Sequence, residues 1–267
     1  MEIARLERPR SLEEAYEYIV NHKAFIIGGG AWSRLSQKTV ELAVDLSALN
    51  LRYVREQGTR IEIGAMATAR DLETSAILLK AFGPVLRDAV SHIVGVQMRN
   101  IVSVGGTVAG RYGFSDLNTA LLALDAKVAL YQGGEVSLEA FLSGHRGNAG
   151  DGPMLIEKIF IDLDKGRGAY QSVRNTRSDL PILNAAVSFG KGGWRIAVGA
   201  RPGSAKLAKK AAELLEGRAR PDAATIAKAA AAAAEELSFG DDIRGTAEYR
   251  ADVCPVLVRR AIAEVAS

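Results

Sequence analysis

The stretch VGVQMRNIVSVGGTVAGRYGFSDLNTALLALDAK, Val94 to Lys127, decides how the chain reads. Gly105 and Gly106 stand side by side between Ser103 and Thr107, and Asp116 opens an apolar helical run. Glycine enters positive φ without a Cβ clash, and consecutive glycines let main-chain N–H groups converge on an anion, so a ligand-facing glycine turn is expected here. Ser115 reads as an N-cap, Asp116 suits the positive end of the helix dipole, and Leu117, Ala120, Leu121 and Leu124 form the expected buried face. A second cluster, Gly28-Gly29-Gly30, follows the strand-like Phe25-Ile26-Ile27. Two such turns can face one elongated anionic ligand. Neither has the lysine of a nucleoside-triphosphate loop, since Ala31, Trp32 and Ser33 follow Gly30, and a dinucleotide is the better match. The chain has 27 glycines, so either cluster taken alone is equally consistent with an ordinary turn.

On the N-terminal side, Ser11-Leu12-Glu13-Glu14 has the form of a capping box, and Leu12, Ala15, Tyr16, Ile19 and Val20 fall at helical spacing up to about His22. Ala24 to Ile27 and Leu42 to Leu46 read as two strands, parallel if the segment between them crosses over. Leu51 to Val54 and Arg60 to Ile63 form a hairpin turning at Gln57-Gly58. Thr68 to Asp71 caps a helix, and Ser75 to Leu79 and Val85 to Ile93 are helical on either side of Gly83-Pro84.

On the C-terminal side, Lys127 to Tyr131 and Val136 to Leu138 make a hairpin, and the glycine-rich run His145 to Pro153 reads as a loop or boundary. Four strands are then expected, Leu155 to Ile161, Tyr170 to Arg174, Ile182 to Phe189 and Trp194 to Val198. Three helices follow, Ala205 to Leu215, the alanine-rich Ala223 to Leu237, and Ala247 to Val265. Strands first and helices after them indicate an α+β unit separate from the front half. The expected division is 1–60, 61–150 and 151–267.

Composition narrows the functional classes. The 267 residues are 48% hydrophobic and 24% charged, an ordinary proportion for a globular chain with room for two or three cores. No apolar run approaches the ~20 residues needed to span a bilayer, and no charged-then-apolar leader opens the sequence, so a cytoplasmic location is expected. The net charge of +3 comes from interspersed charges without a basic-aromatic patch, which argues against nucleic-acid binding. A lone cysteine, Cys254, excludes an internal disulfide and any cysteine-built iron–sulfur or zinc site held by this chain alone. The three histidines, His22, His92 and His145, have no metal-ligand spacing and read as ordinary helix or loop residues.

Together these residues resemble the FAD-binding medium subunit, or domain, of the molybdenum-containing hydroxylases, the family of xanthine dehydrogenase and aerobic carbon monoxide dehydrogenase. Ile26-Ile27-Gly28-Gly29-Gly30-Ala31-Trp32 is similar to the family's first flavin loop. Gln97 to Asn100, Ser103-Val104-Gly105-Gly106-Thr107 and Ser115-Asp116-Leu117 resemble the second loop and its helix. Tyr170 and Asp179-Leu180 sit where the family has an aromatic and an acid-apolar pair beside the isoalloxazine, and Glu248-Tyr249-Arg250 with Leu257 to Arg260 resembles the C-terminal signature.

The resemblance covers nearly the whole chain and implies an α+β protein. Two α/β subdomains of the PCMH-type FAD-binding fold would precede a small domain with a three- to four-stranded antiparallel sheet and helices. Residues Ile26 through Trp32 and Ser103 through Thr107 would hold the pyrophosphate and ribityl chain. Asp116 would bond ribityl or ribose hydroxyls, and the Ile156 and Leu180 backbones would meet the flavin ring. Asp116 as a mere helix cap, and Leu180 as mere core, stand beside these roles.

The same resemblance implies an electron-transfer flavoprotein subunit of an oxidoreductase complex. Electrons would arrive from a 2Fe–2S small subunit and leave to an acceptor such as NAD, while a molybdopterin-binding large subunit would carry the hydroxylation. No catalytic residue and no metal ligand is expected on this chain, and FAD would be non-covalent because Ala31 stands where covalent relatives have histidine. Two departures from the family pattern are Gln171, where some members have lysine, and Arg111-Tyr112-Gly113-Phe114. They leave two other classes open: a stand-alone flavin oxidoreductase, and a non-catalytic FAD-binding or assembly protein.

Overall fold

The computed structural model describes residues 1–144 and 152–267, so most of the expected loop from His145 to Pro153 lies outside the described residues. Three sheets organise the rest. The first is parallel, with β3 (Thr39–Asp45) between β1 (Glu2–Glu7) and β2 (Phe25–Ile27). Helix α1 (Leu12–His22) connects β1 to β2 and buries Ala15 and Ile19. Its start is fixed as the capping pattern predicts: the Glu14 N–H donates to Ser11 Oγ at 3.1 Å. The Glu14 carboxylate reaches back one residue further than expected, accepting from the Arg10 N–H at 2.7 Å. Strand β1 is an addition to the sequence reading. Its six residues, EIARLE, have no clean alternation and are almost all exposed, which is why no period marks them.

The second sheet is antiparallel and has the order β4-β5-β8-β6-β7, with β4 (Val54–Gln57), β5 (Arg60–Gly64), β6 (Lys127–Leu130), β7 (Gly134–Ser137) and β8 (Ile156–Asp162). Strand β8 pairs with β5 on one side, Ile61 opposite Ile161, and with β6 on the other, Val128 opposite Ile159. This sheet therefore carries strands from both sides of residue 60 and of residue 150. Between β5 and β6 lie the short helices α2 (Ala69–Thr74), α3 (Ala76–Phe82), α4 (Val85–Ser91), α5 (Val96–Arg99), α6 (Val104–Gly110) and α7 (Asp116–Ala123). Thr68 and Asp71 close a full capping box on α2. Helix α8 (Leu138–Leu142) follows β7.

The third sheet is antiparallel in the order β12-β11-β10-β9, with β9 (Arg167–Val173), β10 (Leu183–Gly190), β11 (Gly193–Gly199) and β12 (Lys206–Leu207). Residues 205–215, expected as one helix, divide into edge strand β12 and the short helix α9 (Lys209–Glu213). Pairing of Lys206 and Leu207 with Val198 and Ala197 overrides the local helical preference. Helices α10 (Ala223–Glu236) and α11 (Ala247–Ala266) cover the sheet, and the alanines at 229, 230 and 233 let α10 lie close to its neighbours. Arg250 of α11 is fully buried and clamps the preceding loop. Its guanidinium donates to the carbonyls of Ile182, Gly240 and Gly245 and to Asp242 Oδ1, at 2.5 to 2.8 Å. A buried guanidinium persists only when its donors are satisfied in this way.

Helix α7 joins the two halves. The expected apolar face is buried, and so is the rest: all eight residues from Asp116 to Ala123 lie inside. The strand β10 supplies the reason, since Ser188 Oγ donates to the Ala123 carbonyl at 2.6 Å and Asn184 accepts from Thr119 Oγ1 at 2.9 Å. A helix buried all round shows little amphipathic pattern, so only its tertiary partners reveal its polar side as interior.

Candidate functional site

The two glycine clusters meet. The Gly29 N–H donates to Ser103 Oγ at 3.1 Å, and an added Cβ on Gly29 would fall on the Ile101 carbonyl oxygen. A Cβ on Gly28 would stand 2.5 Å from Ser103 Oγ, and one on Gly106 would stand 2.8 Å from the same oxygen. Ser103 is thus the post around which both loops close, and it is buried.

The glycine requirement differs from the expected one. Of the five cluster glycines, only Gly30 has a positive φ, at 67°. Gly105 and Gly106 do not form a left-handed turn; they lie in the first turn of α6. Gly105 is demanded by contact, because a Cβ there would be 2.7 Å from Ala65 Cβ and 2.9 Å from Ala65 O. The amides of Val104 and Gly105 donate to the carbonyls of Ala67 and Ala65, both at 2.8 Å, and hold α6 against the end of β5. Thr107 Oγ1 donates to the Ser103 carbonyl at 2.9 Å. Ile156 belongs to the same assembly: it opens β8, and its neighbour Glu157 accepts the Ala65 N–H at 3.0 Å.

On the first loop, Ile26 and Ile27 are half-buried in β2, while Gly28, Gly29, Gly30 and Ala31 form the turn. Trp32 is 46% exposed. Its ring packs on Tyr112 and Phe114 at centroid distances of 5.4 and 5.2 Å, which joins the ends of both glycine segments through aromatic contact.

Asp116 forms the second centre. Its carboxylate is buried, and Oδ1 accepts from the Tyr170 hydroxyl, from Arg174 Nη2 at 2.7 Å and from Asn184 Nδ2 at 3.0 Å. All three of these side-chain donors meet the same oxygen. Arg174 also donates to the Asp179 carbonyl at 2.8 Å, and the Leu180 N–H donates to Asp179 Oδ1 at 2.7 Å. The segment bearing Leu180 is therefore tied through Arg174 to Asp116. Burial first, and the Asp116 charge second, push the Tyr170 phenol well above its usual value, so it remains a neutral donor.

Arg174 and Asn184 were not foreseen as site residues. Asn184 did leave a trace, a polar residue inside the apolar run Ile182 to Val187; Arg174 left none, because it lies 58 residues from the carboxylate it serves. Beside this centre a cleft of about 420 Å³ is lined by Ser91, His92, Tyr170, Gln171, Arg174 and Arg177, among others. Burial, reinforced by the Arg174 charge, lowers the His92 pKa, so its imidazole is biased toward the neutral form. Gln171, at the departure from the family pattern, donates to Glu264 of α11 at 2.9 Å. Among the described residues no group of histidine, cysteine and carboxylate side chains could hold a metal ion, and no helix is long and apolar enough to cross a membrane.

Residues 2–162 match the family model described as the FAD binding domain in molybdopterin dehydrogenase, and residues 168–265 match the CO dehydrogenase flavoprotein C-terminal domain. The chain is 27% identical to the nicotine 6-hydroxylase medium subunit of Paenarthrobacter nicotinovorans, over 97% of this chain and 96% of that one. It is 30% identical to the carbon monoxide dehydrogenase medium chain of Afipia carboxidovorans, over 84% and 81% of the two chains. Reconstituted CO dehydrogenase from Oligotropha carboxidovorans has a chain of similar fold, with a TM-score of 0.87, 26% identity and coverage of 100% and 98%. The fold is that of these flavoprotein subunits: FAD-binding subdomains followed by a small unit with an antiparallel sheet and helices. By sequence match over most of its length and by fold, the chain belongs to the FAD-binding flavoprotein family of the molybdopterin dehydrogenases.

Proposed function

We propose that this chain is the electron-transfer flavoprotein subunit of a molybdenum-containing hydroxylase. It would work in the cytoplasm, beside a molybdopterin-binding large subunit and a 2Fe–2S small subunit. The observation that carries the reading is the meeting of two glycine segments on Ser103, which brings two stretches far apart in sequence to one place. Paired glycine segments suit a dinucleotide, whose phosphates need close backbone approach. Ile26 to Trp32 and Ser103 to Thr107 would hold FAD at the junction, Asp116 would accept from a ligand hydroxyl, and Ile156 and Leu180 lie on segments bonded to the same framework.

When bound, FAD supplies the electron transfer between the iron–sulfur partner and an acceptor such as NAD. The residues of the chain bind, orient and shield. Tyr170, Arg174 and Asn184 fix the direction of the Asp116 carboxylate, and preorganisation of this kind lowers the ordering cost of binding. In the adjoining cleft Arg174 is paired with Asp116, and Arg177 and Asp88 also line the walls. The three-unit division, with boundaries near 60 and 150, is likewise a proposal. The shared five-stranded sheet and the family match ending at residue 162 favour placing β8 with the FAD-binding part.

The test is an absorption spectrum of the purified chain, with acid release and identification of any chromophore, followed by co-expression with the neighbouring molybdopterin and iron–sulfur subunits. Released FAD and a stable three-subunit complex support the reading. A flavin enzyme that purifies and turns over alone favours the stand-alone oxidoreductase. A folded chain that takes up no added FAD removes the flavoprotein role.

A further inference from the structure

The backbone between α4 and α5 is strained. Val94 has a φ of 43°, and among the described residues it is the one β-branched side chain at positive φ. Branching at Cβ crowds the left-handed conformation, so a valine there is an outlier that its surroundings must impose. Both neighbours of Val94 are pinned. The Ile93 N–H donates to the Val90 carbonyl at 3.0 Å, and the Ile93 carbonyl accepts from Arg99 Nη1 at 3.3 Å. On the other side, the Gly95 carbonyl accepts the Arg99 N–H at 3.0 Å. Arg99 is itself fixed, being buried with its Nε donating to Glu73 Oε2 at 2.8 Å. The strain thus rests on a buried ion pair, and it accompanies an apolar side chain turned outward. Val94 is 58% exposed and Val96 44% exposed, within the uncharged segment IVGVQM of residues 93–98.

We infer that the loop of Val94 and Val96 is a docking contact for the iron–sulfur subunit. The strain is the first argument. An exposed valine in a relaxed backbone is common and needs no explanation. A strained one costs the free chain, and the cost is recovered if the side chain is thereby held in the direction a partner meets, since preorganisation lowers the ordering cost of association. Composition is the second: the cores of protein interfaces are depleted in charge, and six uncharged residues stand here in a chain that is 24% charged. Position names the occupant. Val94 is two residues from His92, which lines the cleft with Tyr170 and Arg174, and α5 leads on to Ser103 at the glycine junction. The loop therefore lies along the chain between the two centres that the flavin reading uses. Electron transfer weakens steeply with distance, so the electron donor has to dock close to the flavin. The subunit that carries the hydroxylation has no such need, and a small diffusing acceptor needs an open cleft rather than an apolar loop.

The inference rests on the electron-transfer reading above, and the experiment separates the two. Full-length wild type and Val94→Asn, both loaded with FAD, are compared in melting temperature, flavin content, and affinity for the neighbouring iron–sulfur and molybdopterin-binding subunits, each purified separately. Asparagine accepts positive φ and removes the apolar contact. The variant should melt at the same temperature or higher and keep its FAD, yet bind the iron–sulfur subunit about ten-fold or more weakly, as loss of a central interface residue does. Val94→Ala, which stays apolar, should lose less. A lower melting temperature would make Val94 a packing residue of this chain, and loss of FAD would make it a wall of the flavin site; either overturns the inference. Unchanged affinity for the iron–sulfur subunit also overturns it, and weaker binding of the molybdopterin-binding subunit in that case gives the loop to the other partner. In all these outcomes the wild type still binds FAD and its donor, so the electron-transfer reading stands. A wild type that takes up no FAD, or forms no complex with the iron–sulfur subunit, removes that reading and the inference with it.

Discussion

The Ser103 junction and the Asp116 centre both join segments distant in sequence, and they do so by opposite means. At the junction, contact depends on atoms that are missing: Gly29 lies against Ile101, and Gly105 against Ala65, because neither has a Cβ. At Asp116, contact depends on atoms that are present, with one buried carboxylate oxygen accepting from Tyr170 of β9, Asn184 of β10 and Arg174 just beyond β9. The first kind of interface fails by addition and the second by deletion. A ligand-binding surface that must expose main chain needs the first; a fixed charge inside the protein needs the second.

The strongest challenge to this contrast is Gly29→Val. Its Cβ would coincide with a carbonyl oxygen, and neither backbone can yield without opening the junction. We expect loss of all flavin retention together with a fall in stability of more than ~4 kcal/mol, in the exceptional range for a single substitution. Thermal denaturation and flavin content measure both. A soluble variant with wild-type stability would show that the loops do not touch.

Next in size is Asp116→Ala. It leaves the guanidinium of Arg174, whose side chain is 6% exposed, without its carboxylate, and breaking a buried pair from one side costs about 3–5 kcal/mol. Urea denaturation checks the value. A loss below ~1 kcal/mol would mean that the centre is solvated and does not join the two halves.

The smallest effect is expected from pH. The folded Tyr170 phenol has a raised pKa, so above about pH 10 the unfolded chain releases a proton that the folded chain keeps. Stability present below pH 10 should therefore decline above it, by ~1.4 kcal/mol per pH unit at the limiting slope. Tyr170→Phe should remove that part of the decline, and the difference between the two pH profiles isolates it from other titrating groups. Identical profiles would place the phenol in solvent.

Legibility in the sequence follows the same contrast. The glycine segments, the capped helices at Ser11, Thr68 and Ser115, and the strands of the second half could be read because their signals are local in spacing. The reason for the glycines could not: Gly30 and Gly105 look alike in a sequence, yet one is required by a φ of 67° and the other by contact with Ala65. The partners of Asp116 were also hidden, since pairings across 54 to 68 residues leave no local period. Strand β1 and the strand-helix division of residues 205–215 depend on neighbours in a sheet, which local preference does not encode.

The position of β8 has a further consequence, for the order in which the protein comes together. This strand occupies the middle of its sheet, yet follows β5 by almost a hundred residues, with Arg60 opposite Asp162. A chain growing from its N-terminus holds β4-β5 and β6-β7 as two hairpins with facing unpaired edges until residues 156–162 emerge. Closure then waits on a long loop and proceeds slowly, as non-local pairing does. During that interval the exposed edges are the segment of the nascent protein most open to mispairing, and the moment at which a chaperone or an early-arriving partner would have most effect.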